Sequence, residues 1–206
     1  MMKKVTLDDI RMMAEASRAQ LWEDARQMGR DVKIYLHWTA GRYGQLFDDY
    51  HLSIDQDGSI YASTDDLSET LAHTWHRNTG SVGVTLCCCY GADTADLGDY
   101  PPTAAQIETM AQVVAVLAKA LWLTLDRDRV MTHAEAADNL DGLLPEGDEY
   151  GPLNGCERWD LQYLGTPENP AWTTDYDSPK TGGNVLWGKA IWYQNQMQEM
   201  QDNEEG

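Results

Sequence analysis

Apolar residues recur every third or fourth position in three stretches of the chain, and this spacing predicts helices. The first stretch opens with Thr6 and Asp9, which form a capping-box pattern at a helix start. The second follows Thr103, a residue typical of helix N-caps. The predicted helices cover residues 6–30, 103–125 and 184–200.

Shorter apolar runs predict β-strands between these helices. Asp57-Gly58 separates two β-rich runs, which predicts a hairpin. The run that starts at Ser81 is almost uninterrupted, which favours a central strand. The predicted strands are Lys33–Trp38, Tyr50–Asp55, Ser59–Ser63, Ser81–Cys89 and Arg129–Thr132. The order of elements predicts an α/β fold, with a mixed central β-sheet flanked by helices.

The remaining segments suggest how the chain is organised. Residues 134–155 are rich in Asp, Gly and Pro and predict an ordered excursion or a lid, in which Asp138 and Asp141 are expected to be solvated. A short helix is expected to begin at Trp159. We expect one main domain over residues 1–165, including the N-terminal helix. Residues 166–206 are expected to form a linker and a C-terminal helical tail packed on that domain.

Composition and charge exclude several classes of function. The net charge of −19 argues against nucleic-acid binding, because no basic surface is available to neutralise phosphates. The first ten residues lack the apolar segment of a signal peptide, so we expect synthesis in the cytoplasm. No apolar stretch approaches the roughly 20 residues needed to span a bilayer, so membrane insertion is not expected. The adjacent Cys87, Cys88 and Cys89 are expected to be buried, reduced thiols.

Two histidines supply the candidate chemistry. His37 closes one predicted strand, and His133 closes another about a hundred residues later. Cys156 and Asp160 follow, and either could be a third ligand, because Zn²⁺ binds imidazole, thiolate and carboxylate. Ligands delivered from distant strand ends suit an open catalytic zinc better than a structural one, whose ligands usually come in tight local pairs.

Six stretches in a fixed order resemble the zinc-dependent N-acetylmuramoyl-L-alanine amidases of the type-2 amidase and peptidoglycan recognition protein family, which includes small phage lysozymes. Each stretch is weak alone, but their order and spacing are specific. They span about residues 33 to 164. The stretches are Tyr35-Leu-His-Trp-Thr39, Tyr50-His-Leu-Ser-Ile-Asp-Gln-Asp-Gly-Ser-Ile60, Ala72-His73, Asn78-Thr-Gly-Ser-Val-Gly-Val84, Thr132-His-Ala-Glu135 and Arg158-Trp-Asp160.

The resemblance implies one zinc ion bound by His37, His133 and Asp160. The family places its third ligand two residues after a Lys or Arg, and Arg158-Trp-Asp160 reproduces that spacing. Cys156 remains the rival ligand. This chain departs from compact family members because the stretch between His133 and Asp160 is longer and acidic.

The resemblance also implies catalytic roles for Arg158 and Tyr50. Arg158 would stabilise the oxyanion electrostatically, because a guanidinium does not deprotonate. Tyr50 occupies the position of a catalytic tyrosine in phage members. Other members use a glutamate where this chain has Thr85, so Tyr50 takes on more of that role.

Four residues are expected to bind the substrate. Trp38 and Trp75 are expected to line the groove. His73 matches a family histidine beside the groove, and support of the metal ligands is the alternative role for it. Asn78 is the fourth candidate for substrate binding, although ordering of its own loop is the simpler role for it.

The resemblance implies an enzyme that hydrolyses the amide between N-acetylmuramic acid and L-alanine in peptidoglycan or muropeptides. We expect a monomer that acts as a phage endolysin on the cell wall after release, or as a recycling amidase on cytosolic muropeptides. The alternatives are a non-catalytic peptidoglycan-binding module and, with no support in the sequence, an interaction protein.

Overall fold

The computed structural model describes residues 2–155 and 157–205. The strands are β1 (Lys3–Val5), β2 (Lys33–Trp38), β3 (Leu52–Ile54), β4 (Ile60–Ala62), β5 (Ser81–Leu86) and β6 (Val130–Thr132). The helices are α1 (Leu7–Gln27), α2 (Ala104–Leu121), α3 (His133–Ala137) and α4 (Gly182–Glu205). The strands form one sheet in the order β1-β4-β3-β5-β2-β6. Because β2 is parallel to β5 and β6 while β4 is antiparallel to β1 and β3, the predicted mixed sheet is confirmed.

Strand alternation divides the sheet into an apolar face and a polar face. The apolar face packs with α1, α2 and α4 in the main hydrophobic core, to which β2 and β5 contribute Ile34, Leu36, Trp38, Val82, Val84 and Leu86. The intervening residues point the other way, and they are Lys33, Tyr35, His37, Ser81, Gly83 and Thr85. The polar face is therefore the side of the sheet on which buried hydrogen-bonding groups collect.

Helix α2 is the central helix of the core. Its N-cap, Thr103, forms a capping box with Gln106, and the helix ends at Trp122 in a left-handed conformation with φ 61°. Within the described residues, α2 is long and apolar enough to cross a bilayer, but 61% of that window is buried inside the protein. Those apolar residues therefore serve to build the core.

Two short elements were not predicted, and one predicted helix is wrong. β1 adds an antiparallel edge strand beside β4, and its three residues are too few to show a period. α3 follows β6 directly. Residues 159–164 form a turn instead of the expected helix, and Leu161 has a left-handed φ of 64°, which a helix does not accommodate.

The terminal helix α4 packs on α2 and β6. Trp187 donates its indole N–H to the carbonyl of Val130 at 3.0 Å, and Lys189 Nζ lies 2.6 Å from Glu108 Oε1. The proposed division of the chain at residue 165 stays a prediction. The three adjacent cysteines are buried free thiols, as expected.

A buried ion pair anchors the loop before β5. The side chain of Arg77 is fully buried, and its Nε and Nη2 lie 3.0 and 2.5 Å from the two carboxylate oxygens of Asp141. Nη2 also donates to Asn139 Oδ1 at 3.0 Å, and the hydroxyl of Tyr35 lies 3.4 Å from the same carboxylate. Burial alone would raise the pKa of Asp141, but Arg77 outweighs it and the pKa lies below its usual value.

The expectation that Asp138 and Asp141 are solvated is therefore wrong. Asp138 is 7% exposed and accepts hydrogen bonds from the Tyr176 hydroxyl and the Leu153 backbone N–H. An acidic stretch without periodicity gives no sign of which carboxylates find buried partners.

Replacing Arg77 with Met should destabilise the protein by about 3–5 kcal/mol, because it leaves the Asp141 carboxylate buried without its main counter-charge. Chemical denaturation measures the loss. Adding Asp141→Asn should recover part of it, because the uncompensated charge disappears. The matched control is Arg26→Met, which breaks an exposed pair with Glu23 and should cost about 1 kcal/mol or less. Equal losses in the two single variants would contradict the anchoring role.

Candidate active site

Parallel strand pairing brings the two histidines together. β2 pairs with β6 so that Leu36 lies opposite Thr132. His37 and His133 are the next residues, and their ring centroids are 4.7 Å apart. Thr132 also caps α3 through a capping box with Glu135, so His133 is the first residue of that helix. The change from strand to helix therefore occurs at the candidate ligand.

Asp160 completes a tight group of three donor atoms. The two Nδ1 atoms of His37 and His133 are 3.1 Å apart. Asp160 Oδ2 lies 3.2 Å from His133 Nδ1 and 3.6 Å from His37 Nδ1. All three residues are buried, and their donor atoms point at one another. The alternative ligand, Cys156, lies outside the described residues.

The geometry and protonation of this group fit a zinc ion. Two ligand atoms that each lie about 2.0 Å from a tetrahedral zinc are about 3.3 Å apart, close to the three distances seen here. Burial lowers the pKa of His37 to about 4, so its imidazole is neutral at pH 7. Burial would raise the pKa of Asp160, but the adjacent histidines outweigh it, and the pKa lies well below its usual value. The donors are thus a neutral imidazole, a carboxylate and the imidazole of His133.

A cleft of about 680 Å³ opens beside this group. Its walls include five residues singled out from the sequence, namely His73, Trp75, Asn78, His133 and Arg158. Trp75 is 61% exposed and presents its indole to solvent. The cleft is therefore bordered by an aromatic surface and a fixed positive charge.

His73 and Asn78 order one wall of the cleft. Asn78 Oδ1 accepts hydrogen bonds from the backbone N–H groups of His73 and Thr74 at 3.1 and 2.7 Å. The His73 ring is buried and lies on Gly83, where an added Cβ would sit 2.7 Å from the ring. Burial holds the pKa of His73 well below its usual value, so this ring is neutral.

The structure does not bring Trp38 to the cleft. Trp38 is 5% exposed and packs edge-on against Trp159, with ring centroids 4.8 Å apart. It is adjacent to His37 in β2, and strand alternation turns adjacent residues to opposite faces. Because side chains alternate between the two faces along a strand, the position of Trp38 next to His37 was the sequence signal that places Trp38 on the apolar face.

Tyr50 and Arg158 both lie near the donor group. The Tyr50 ring centroid is 5.0 Å from that of His37. Burial raises the pKa of Tyr50 above its usual value, so the phenol stays protonated and can donate a hydrogen bond. Arg158 is exposed on the cleft wall, and its backbone N–H donates to the carbonyl of Tyr150 at 3.2 Å.

The longer, acidic stretch between His133 and Asp160 was expected to shape the groove or restrict access to it, but the sequence did not indicate which of its residues would do so. Asp148, Tyr150 and Glu157 line it, and the Tyr150 hydroxyl lies 3.5 Å from His133 Nε2. Tyr150 is held by its backbone, which donates to Ala137 O at 3.0 Å. The segment has no periodic pattern, so only its place between two candidate ligands could have drawn attention to it.

Two solved endolysin structures show weak similarity to this chain. The Ph2119 endolysin from Thermus scotoductus MAT2119 bacteriophage Ph2119 is 18% identical over 51% of this chain and 72% of that chain, with a TM-score of 0.40. The endolysin N-acetylmuramoyl-L-alanine amidase LysCS from Clostridium intestinale URNW is 16% identical over 50% of this chain and 68% of that chain, with a TM-score of 0.37. No curated protein matches the sequence.

The chain matches the model of one known protein family over more than half of its length. The sequence model of the N-acetylmuramoyl-L-alanine amidase family Amidase_2 matches residues 13–142, more than half of the chain. The matched range contains His37, His133 and the loop with His73, and it ends before Asp160. The resemblance inferred from the six sequence stretches is confirmed, and the chain belongs to the N-acetylmuramoyl-L-alanine amidase family.

Proposed function

We propose that this protein is a zinc-dependent hydrolase that cleaves the amide between N-acetylmuramic acid and L-alanine in peptidoglycan. The observation that best supports the proposal is the convergence of His37 Nδ1, His133 Nδ1 and Asp160 Oδ2 within 4.8 Å of one another beside an open cleft. Three protein ligands are the number typical of catalytic zinc sites. Membership of the amidase family supports the choice of bond.

His37, His133 and Asp160 would hold the zinc. When bound, zinc supplies Lewis acidity, which polarises carbonyl groups and makes water more acidic. The buried His37 is neutral and has a lone pair available, and the Asp160 carboxylate is ionised. Burial of all three side chains keeps competing water away from the donor atoms.

Arg158 and Tyr50 would act on the charge that develops on the amide oxygen. Arg158 provides a permanent positive charge on the cleft wall. Tyr50 provides a protonated phenol beside His37, so it serves as a hydrogen-bond donor rather than a base. Both interactions strengthen as the oxygen becomes negative, so they lower the barrier more than they tighten substrate binding.

Trp75 would contact the substrate through its exposed indole, whereas His73 and Asn78 hold the loop that presents it. An exposed aromatic face beside polar groups suits a ligand that has both sugar and peptide parts. The enzyme would act as a monomer. Its substrate would be the cell wall, once the enzyme has been released from the cytoplasm, or small muropeptides within the cytoplasm. A binding module without activity is less well supported, because all three candidate donors are present and converge.

Purified, zinc-loaded protein should release new L-alanine amino termini from sacculi, and a chelator should abolish the release. Readdition of zinc should restore it. His37→Ala should be inactive at every zinc concentration that restores the wild-type protein, because one of the three donors is gone. Retention on sacculi without new termini would instead support the binding module.

Metal content separates the two candidates for the third ligand. Asp160→Asn keeps the shape of the side chain but removes the carboxylate charge, so we expect at least a 10-fold loss of zinc affinity by chelator competition. Cys156→Ser is the comparison and should bind zinc like the wild-type protein. The opposite pattern would assign the third ligand to Cys156.

Arg158→Met should lower kcat by about 10²–10³-fold, the usual cost of removing a group that stabilises the oxyanion, without loss of zinc. Tyr50→Phe should also lower kcat and leave zinc binding intact. Arg158→Lys should retain part of the rate, because the charge remains. Arg42→Met and Tyr90→Phe are matched controls, since these two residues contact each other outside the lining of the cleft. An unchanged kcat for Arg158→Met would remove Arg158 from the mechanism.

A further inference from the structure

A chain of hydrogen bonds leads from His37 into the loop before β5. His37 Nε2 lies 3.3 Å from the Thr74 hydroxyl. The same hydroxyl lies 2.9 Å from His73 Nδ1. His73 Nε2 lies 3.4 Å from the Ser81 hydroxyl, which donates to the backbone carbonyls of Arg77 at 2.7 Å and Asn78 at 2.8 Å. The four side chains are buried, so the chain has little access to competing water.

The backbone carbonyls at the end of this series of hydrogen bonds fix the direction in which every hydrogen bond in it is donated. A carbonyl can only accept, so the single hydroxyl proton of Ser81 is used there and its oxygen must accept from His73 Nε2–H. The His73 ring is buried and its two nitrogens face hydroxyl oxygens, which suits a neutral imidazole with one N–H. His73 Nδ1 is therefore an acceptor, and the hydroxyl of Thr74 donates to it.

The direction of these hydrogen bonds also fixes the position of the proton on His37, the candidate zinc ligand. Because the Thr74 proton is used by His73, the Thr74 oxygen must accept from His37 Nε2–H. His37 is fully buried, which favours a neutral imidazole with a single N–H, so its Nδ1 has no proton and the Nδ1 lone pair faces His133 and Asp160. Binding of a metal through Nδ1 requires this tautomer.

We infer that His73 and Thr74 are positioning residues, which fix His37 in the tautomer whose Nδ1 can bind a metal. Neighbouring residues hold His73 and Thr74 in place. Asn78 holds the backbone of both residues, and Gly83 leaves room for the His73 ring directly on β5. His73 is thus assigned to orienting His37 instead of contacting the substrate.

The consequence for metal binding rests on the proposed zinc site, but the tautomer itself does not. Partners that orient a ligating histidine typically contribute a factor of about 10–100 in metal affinity. Thr74→Val replaces the hydroxyl by a methyl group of similar size and interrupts the chain next to His37. Thr74→Ser restores the hydroxyl. Thr85→Val is the matched control. It also removes a buried hydroxyl, on the polar face of β5, but this hydroxyl takes no part in the series of hydrogen bonds from His37 to Ser81.

Two readouts test the inference. Long-range ¹H–¹⁵N NMR of the metal-free protein should show His37 protonated at Nε2 in the wild type, Thr74→Ser and Thr85→Val, and a mixture of tautomers in Thr74→Val. Chelator competition should show about 10–100-fold weaker zinc binding for Thr74→Val alone among these variants. Wild-type-like tautomer and zinc affinity in Thr74→Val would overturn the inference.

A second variant keeps the test decisive if Thr74→Val does not fold. Ser81→Ala removes the carbonyl-directed end of the chain and leaves the Thr74–His37 contact in place. It should allow both tautomers of His73 and weaken zinc binding, whereas a single Nε2–H tautomer of His73 in this variant would show that Ser81 does not set the direction of the hydrogen bonds. A wild-type protein that binds no zinc would refute the proposed function, while the NMR spectrum would still decide the tautomer of His37.

Discussion

The parallel pairing of β2 with β6 is the constraint on which the candidate site depends. Because Leu36 lies opposite Thr132, the residues that follow them, His37 and His133, emerge side by side at the same edge of the sheet. A shift of one residue in this register would turn one set of side chains to the other face. The apolar alternate residues of β2 hold the register, because they are committed to the core beneath α1 and α2.

The polar face of the sheet is stabilised by pairing buried groups with one another. The Arg77–Asp141 ion pair joins the loop before β5 to the segment after α3, so two segments that line the cleft are tied to each other. A buried ion pair adds little net stability compared with an apolar pair, but breaking it is costly, and this makes one arrangement strongly preferred. The hydrogen-bonded chain from His37 to Ser81 lies within the region that this ion pair holds in place.

The main features of the fold could be predicted from the sequence because they depend on periodicity. Helical spacing located α1, α2 and α4, and an Asp-Gly turn located the hairpin of β3 and β4. The strand-end positions of His37 and His133 indicated that they would meet. The burial of Asp141 and the turn at Leu161 could not be predicted, because both depend on contacts between segments distant in sequence or on backbone conformation. The position of Trp38 could have been predicted, since alternation excludes it from the face of His37.

The most direct test of the account is an anomalous difference map measured at the zinc absorption edge on crystals of the zinc-loaded protein. If these three residues hold the zinc, the map shows one peak about 2.0–2.1 Å from His37 Nδ1, His133 Nδ1 and Asp160 Oδ2. A peak bound through Cys156 Sγ with Asp160 turned away, or through Nε2 of His37, would contradict it. The absence of any peak between the two histidines would refute the zinc site itself.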